Sequence, residues 1–204
     1  NTNKTLDKSG NGNHGTITNM STTTSPVAGK IGQGFTFDGV NDYVQMADNS
    51  SLNLTTSFTV SAWIKRETTG AYNYIYESGT QANRWGVLIS NSNRIDFVEI
   101  GITDNLSNTF IDTKLHHIVV VKSGDSGTNV AFYLDGVADG SASVGTVDTP
   151  SGVKRIGTNA TGVQQFIGLL DDVRIYNRAL TPSEIKRLYN MGTPKYNVTN
   201  VNTL

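Results

Sequence analysis

Short apolar runs recur along almost the whole chain, and each is cut off within about ten residues by Gly, Asn, Asp or Ser. That punctuation leaves little room for helices of ordinary length and favours extended segments joined by turns. Phe58-Thr59-Val60-Ser61-Ala62-Trp63-Ile64-Lys65 alternates, with Phe58, Val60, Ala62 and Ile64 on one face, as a half-buried strand requires. His116 to Lys122 is a more continuous apolar run and reads as a more central strand. Val130–Leu134 leads into Asp135-Gly136 and then Val137-Ala138. Asp-Gly between β-prone stretches predicts a two-residue hairpin, because a type I′ turn needs positive φ at both positions. Further strands are expected at Phe35–Phe37, Tyr43–Met46, Tyr74–Glu77, Trp85–Ser90, Arg94–Ile100, Lys154–Ile156 and Leu169–Tyr176. About ten short strands imply an all-β, antiparallel sandwich or barrel.

One helix is expected, from Pro182 to about Met191. Thr181 is its N-cap, Pro182 its first residue and Glu184 the capping-box partner. Ile185, Leu188 and Tyr189 share a face, and Gly192 stops the helix. Residues 1–192 therefore read as one domain, and 193–204 as a polar tail, a linker or an added strand.

Composition narrows the function. With no cysteine, the chain has no disulfide scaffold, thiolate zinc site or cysteine nucleophile. Sixteen Lys+Arg against 17 Asp+Glu make no field that would steer nucleic acid. No apolar run approaches the ~20 residues of a membrane helix, so no membrane insertion is expected. Glutamates stand only at 67, 77, 99 and 184, so the paired-carboxylate pattern of sandwich glycosidases is missing. There is no G-x-S-x-G elbow, and His116 and His117, adjacent on a strand, face opposite sides. The expectation is a protein that is not an enzyme.

Three groups of residues are candidates for binding. Oxygen-bearing side chains recur at Asp7, Ser9, Asn11 and Asn13 among glycines, which suits a hard cation such as calcium or equally a polar turn. Asp38-Gly39 and Asp171-Asp172 add further carboxylates; the first pair is explicable by turn geometry alone, and one of the second pair is expected to point inward. Tyr72, Tyr74 and Tyr76 share a face if their segment is a regular strand, and with Trp85 they are read as either core or a platform for sugar rings. Asn-x-Ser/Thr acceptors for glycosylation occur at Asn3, Asn19, Asn49, Asn53, Asn105, Asn159 and Asn197.

Six segments in this order carry a family resemblance: Asp7–Ile17, Gly32–Val44, Ser57–Lys65, Leu115–Val121, Phe132–Val137 and Gly168–Tyr189. The most specific is the last, Gly-Leu-Leu-Asp-Asp-Val-Arg-Ile-Tyr-Asn-Arg-Ala-Leu followed by a capped helix. Over about residues 7–191 the chain resembles the laminin-G-like, concanavalin A-like jelly rolls of secreted prokaryotic proteins; Leu115 departs from it, where the family usually has Trp. The resemblance implies a two-sheet jelly roll, an extracellular or cell-surface location and a structural calcium, for which Asp7, Asp38, Gly39 and Asp171 match the usual pieces. Pentraxin-style paired calciums are not expected, because Gly157–Ile167 holds no acidic residue. The family normally has a first strand before the Asp7 loop, where only six residues stand here. A vacant edge would accept the tail segment Lys195–Val201 from its own or a neighbouring domain or subunit. The function implied is a non-catalytic binding module for a glycan or a cell-surface protein. The alternatives are a self-assembling piece of a surface layer, filament or adhesin and, third, a glycoside hydrolase.

Overall fold

The computed structural model describes residues 3–21, 23–80, 83–99 and 102–191, with only the backbone at 102–104. The strands are Lys4–Thr5 (β1), Gly15–Thr18 (β2), Pro26–Ala28 (β3), Gln33–Asp38 (β4), Tyr43–Met46 (β5), Ser57–Arg66 (β6), Asn73–Ser78 (β7) and Trp85–Ile89 (β8). They continue with Ile95–Glu99 (β9), Ile102–Leu106 (β10), Leu115–Ser123 (β11), Val130–Leu134 (β12), Val137–Ala142 (β13), Lys154–Ile156 (β14) and Ile167–Tyr176 (β15). One helix, Pro182–Met191 (α1), follows. The strands build two antiparallel sheets, β1-β2-β5-β14-β7-β8-β9-β10 and β13-β12-β11-β6-β15-β4-β3, which is the two-sheet jelly roll the family resemblance implied and a sandwich where the punctuation left sandwich or barrel open.

The alternating residues of β6 explain how the sheets meet. Phe58, Val60, Ala62 and Ile64 are fully buried and face the other sheet, where Phe58 stacks on Trp85 with ring centroids 4.2 Å apart. Trp85 keeps its polar edge satisfied by donating Nε1–H to the Leu54 carbonyl at 2.9 Å. β11, the more apolar run, lies between β6 and β12, as a two-sided strand should. Asp135 (φ 51°) and Gly136 (φ 76°) make the tight hairpin between β12 and β13.

Three cations are buried with this core: Arg66, Lys122 and Lys154, none more than 1% exposed. Arg66 donates to Asn93 Oδ1 and the Ile111 carbonyl but keeps a buried Nε without a partner, whereas the two lysines are satisfied locally. Lys154 Nζ donates to Asp48 Oδ1 (2.7 Å), Asn53 Oδ1 (2.5 Å) and the Gly152 carbonyl (2.8 Å), which ties β14 to the segment after β5. Lys122 does the same with Asp125 and the Gly124 carbonyl, both at 2.6 Å.

α1 closes the outer face of the seven-stranded sheet. Its capping box forms as expected: Glu184 Oε2 accepts from Thr181 N–H at 2.9 Å. Ile185 is fully buried in a small cluster with Val119, Val121 and Leu180, and Tyr189 stacks on Trp63 at 5.6 Å. At one flank of the sandwich the sheet edges meet, with Asn108 N–H bonded to the Asp139 carbonyl at 2.9 Å. At the other flank β1 and β3 are the edges. The opening edge is occupied: Lys4 pairs with Thr16, and Ile17 N–H reaches the Asn3 carbonyl. This corrects the expected vacancy, which arose because two polar residues give no periodic signal. The tail lies outside the described residues.

Candidate ligand-binding site

The four aromatic candidates do not form one surface. β7 carries a bulge: Tyr74 pairs with Leu88 but Tyr76 with Val87, so the register slips by one residue between them. The slip turns both Ile75 and Tyr76 into the core. Tyr76 and Trp85 are fully buried against one another, centroids 5.4 Å apart, and present nothing to a ligand. Tyr74 lies outside that core, 7% exposed, over Gly86, where a Cβ would come within 2.9 Å of its ring. Tyr72, just ahead of β7, stays half-exposed.

Tyr72 borders a cleft of about 400 Å³ at the end of the sandwich where β4 turns into β5, β6 leads into β7 and β14 leads into β15. Gly39 and Ile167 line it where β4 ends and β15 begins, Tyr72 and Asn73 on one side, and Val163, Gln164 and Gln165 on another. Gly39 has φ 77°, and a Cβ there would come within 3.0 Å of Ile167. No Asp, Glu, Lys, Arg or His lines the cleft among the described residues.

Its walls are braced from behind. Asn73 is fully buried, accepting from Ile167 N–H (3.3 Å) and donating to the Ala71 carbonyl (2.9 Å). Inside the 157–166 loop, Asn159 Oδ1 accepts from Val163 N–H and the Thr161 hydroxyl, both at 3.0 Å, and its Nδ2 donates to Gln164 Oε1 at 3.0 Å. Beneath the loop, Arg155 donates to the Ala160 carbonyl (2.7 Å) and to Gln45 Oε1 (3.3 Å), with its guanidinium 5.3 Å above the Tyr43 ring. Arg155 pairs across the sheet with Glu77, which binds Arg84 at 3.0 Å and whose carboxyl is pushed up to about 7 by burial. Sequence reasoning found Tyr72 but missed Asn73, Val163, Gln164 and Gln165. The signal for the last three was the uncharged character of the 157–167 stretch.

The expected calcium set is not assembled. Ile167 pairs with Asp38, so Asp171 stands four residues further along β15, about 13 Å away. β2 separates the Asp7 loop from the Asp38 turn in the same way, Gly15 pairing with Met46 and Thr18 with Tyr43. Oxygens sharing one calcium lie within about 5 Å of each other, and an Asp side chain adds only about 3.5 Å of reach at either end, short of that span. Asp38 and Gly39 therefore cannot serve the same ion as Asp7 or Asp171. The motifs are correct in order, but their order does not say which end of a strand each occupies. Asp7 instead caps its own loop, accepting from Ser9 and Asn13 N–H, and Asp38 accepts from Val40 N–H. Asp171 differs. It is 3% exposed, Oδ2 accepts from Ile31 N–H at 2.8 Å, and Oδ1 has no donor. Gly29 faces this carboxylate, where a Cβ would lie 2.4 Å from it.

Ser61 and His117 make a pair, Oγ to Nε2 at 2.9 Å, but both are buried and Nδ1 has no carboxylate partner. Trp63 and Tyr189 pack on the imidazole, so this is a structural contact and not an exposed nucleophile with an oriented base. Burial pulls His117 down to about 4. His116 is raised, first by its hydrogen bond to Asp135 (2.8 Å) and further by Asp112 (3.0 Å). The unfolded chain titrates both near 6.5. The contribution of His117 is thus fully present above pH 6.5 and is lost as pH falls towards 4. That of His116 is present below 6.5 and is lost as pH rises through its raised folded value. The His117 gap is worth about 3 kcal/mol at most. Urea unfolding at pH 7 and pH 4.5 should show a loss on acidification that a His117→Gln variant weakens; an unchanged loss would locate its source elsewhere.

Of the glycosylation candidates, Asn3 and Asn19 are exposed. Asn49 caps the Ser50–Leu52 turn and Asn53 accepts from Lys154. Asn105 and Asn159 are buried with their amide nitrogens donated to Phe97 O and Gln164 Oε1, so neither presents a nitrogen for a glycan in the folded structure. Asn197 lies outside the described residues.

Comparison with known proteins agrees with this architecture. Residues 38–186 match the laminin G type of the concanavalin A-like lectin/glucanases superfamily. The chain is 30% identical over 160 residues to the adhesion G-protein coupled receptor V1 of Danio rerio, covering 66% of this chain and 2% of the receptor. It is 30% identical over 78 residues to usherin of Mus musculus, covering 35% of this chain and 2% of usherin. The chain thus spans a small fraction of the curated relatives it matches. Domain 4 of AbnA, an extracellular arabinanase from Geobacillus stearothermophilus solved in complex with arabinotriose, superposes with a TM-score of 0.69 at 24% identity, covering 86% of this chain and 87% of that one. The binding domain of Paraclostridial Mosquitocidal Protein 1 superposes with a TM-score of 0.65 at 23% identity, over 91% and 49% of the two chains. Trypanosoma rangeli sialidase shares the fold at 15% identity, TM-score 0.60, over 86% of this chain and 29% of the sialidase. No helix among the described residues is long and apolar enough to cross a membrane. The chain belongs to the concanavalin A-like lectin/glucanase superfamily, as a domain of the laminin G type.

Proposed function

We propose that this domain is a non-catalytic recognition module of an extracellular protein and that it holds a glycan in the cleft beside Tyr72. The observation that carries this reading is a braced, open cleft with no ionised side chain in its lining. Such a site can bind through amides and ring faces, but it has no acid and base with which to cleave a glycosidic bond. The kinds of relative support the reading: an adhesion receptor by sequence, and by fold a domain solved with arabinotriose and the binding domain of a mosquitocidal protein. A glycan array, followed by calorimetry and a reducing-sugar assay on each bound glycan, tests it. Binding without turnover is expected; turnover would overturn the non-catalytic reading.

The calcium proposal narrows to Asp171 and the Gly29–Ile31 turn, because Asp171 alone of the original set keeps an unpaired buried oxygen. A bound ion at a hundredfold excess over Kd would add about 2.7 kcal/mol. Chelator should lower the melting temperature of the calcium-loaded protein, and Asp171→Asn should remove that response. A calcium-loaded protein that melts at the same temperature with and without chelator would refute the proposal.

A further inference from the structure

We infer that the end cleft selects uncharged saccharides and that Tyr72, Val163 and Gln164 are the side chains that read them, an inference that rests on the glycan-binding reading above. A sugar presents C–H faces, which pack on aromatic and aliphatic surface, and hydroxyls, which both donate and accept hydrogen bonds. The cleft offers matching groups. Tyr72 contributes a half-exposed ring, and the rim is apolar at Val163, 77% exposed. Gln164 has its Oε1 occupied by Asn159, which leaves Nε2 as a donor. Gln165 braces the same wall: its Nε2 is tied to the Gly162 carbonyl at 2.7 Å, and its Oε1 is buried without a donor. The free amide donor of Gln164 fits the oxygen of a sugar hydroxyl, next to the aromatic and aliphatic surface that takes a C–H face.

The same lining disfavours acidic ligands. A carboxylate or sulfate brought into the cleft would be desolvated with no cation to compensate it. The guanidinium behind the loop, Arg155, is committed to the Asn159 and Ala160 carbonyls and to Gln45, and Arg84 is committed to Glu77. Asn159 and Arg155 act as positioning residues: Asn159 binds Gln164 directly, and Arg155 holds the loop through the Asn159 and Ala160 carbonyls before a ligand arrives. That limits the ordering cost of binding.

The test is an array that carries neutral arabino-, gluco-, manno- and galacto-oligosaccharides beside sialylated, sulfated and uronate-containing ones, probed with the wild type, Tyr72→Ala and Val163→Asp. Neutral glycans should bind, and each variant should weaken that binding by roughly tenfold or more with the melting temperature within about 2 °C of wild type. Val163→Asp, at an exposed rim position, keeps the test decisive if Tyr72→Ala fails to fold. Preference for acidic glycans would overturn the ligand class while leaving glycan binding intact. Neutral binding unaffected by both variants would overturn the cleft as its site. No binding to any glycan would overturn this inference and the reading beneath it together.

Discussion

Trp85→Ala is expected to destabilise the fold by about 3–5 kcal/mol, the cost of truncating a fully buried large aromatic. Trp85 is 0% exposed, and Phe58, Tyr76 and Phe97 all pack on its ring, with centroids 4.2 to 5.9 Å away. The variant would also strand the Leu54 carbonyl that accepts from Nε1. Tyr72→Ala, on a residue only thirteen positions earlier, should leave stability nearly unchanged. Urea midpoints of the two variants decide between the two ways of reading this aromatic cluster. If Trp85→Ala kept its midpoint and lost only binding, the indole would be a ligand platform and the core assignment would be wrong.

Gly168→Ala is expected to be as damaging, at about 3 kcal/mol or more, through the backbone instead of a side chain. Gly168 opens β15 between β4 and β6, opposite Phe37 and Arg66, with φ 129°. An added Cβ would lie 2.1 Å from the Lys65 carbonyl, a separation that only displacement of the β6–β15 ladder can relieve. Gly12→Ala is the informative control. Its φ is also positive, 75°, but a Cβ there meets nothing within 4 Å. It should cost only the ~1–2 kcal/mol of placing an L-residue in the left-handed region. Equal losses at the two positions would mean that conformation, and not the close approach of β6, sets the requirement for glycine.

What the chain discloses before folding is set by the range over which each signal acts. β6 and α1 were legible because their cues are local: a period of two in one, a cap and a period of 3.6 in the other. The Asp135-Gly136 hairpin was legible for the same reason. β1, β2 and β3 were not, because two to four residues containing polar groups, Gly15 or Pro26 acquire strand character only from their partners. The bulge in β7 was also hidden. Nothing in Tyr72-Asn73-Tyr74-Ile75-Tyr76 says that the alternation slips, and that slip alone moves Tyr76 from a supposed surface into the core. The cleft was half-legible. Tyr72 stood out as an aromatic, but its partners lie some ninety residues downstream and meet it only through the sheet order β14-β7.

The unequal flanks of the sandwich bear on how such domains tolerate one another at high local concentration. On the β10–β13 side the two edges are already bonded together. On the other, among the described residues, the outermost ladders are two residues at β1 and three at β3, the latter beginning with proline, which has no N–H to offer. A foreign extended segment arriving there finds too few amides and carbonyls to template a continuous sheet. The described edges of such a domain therefore offer neighbouring copies little to add a strand to, even when the domains are packed side by side.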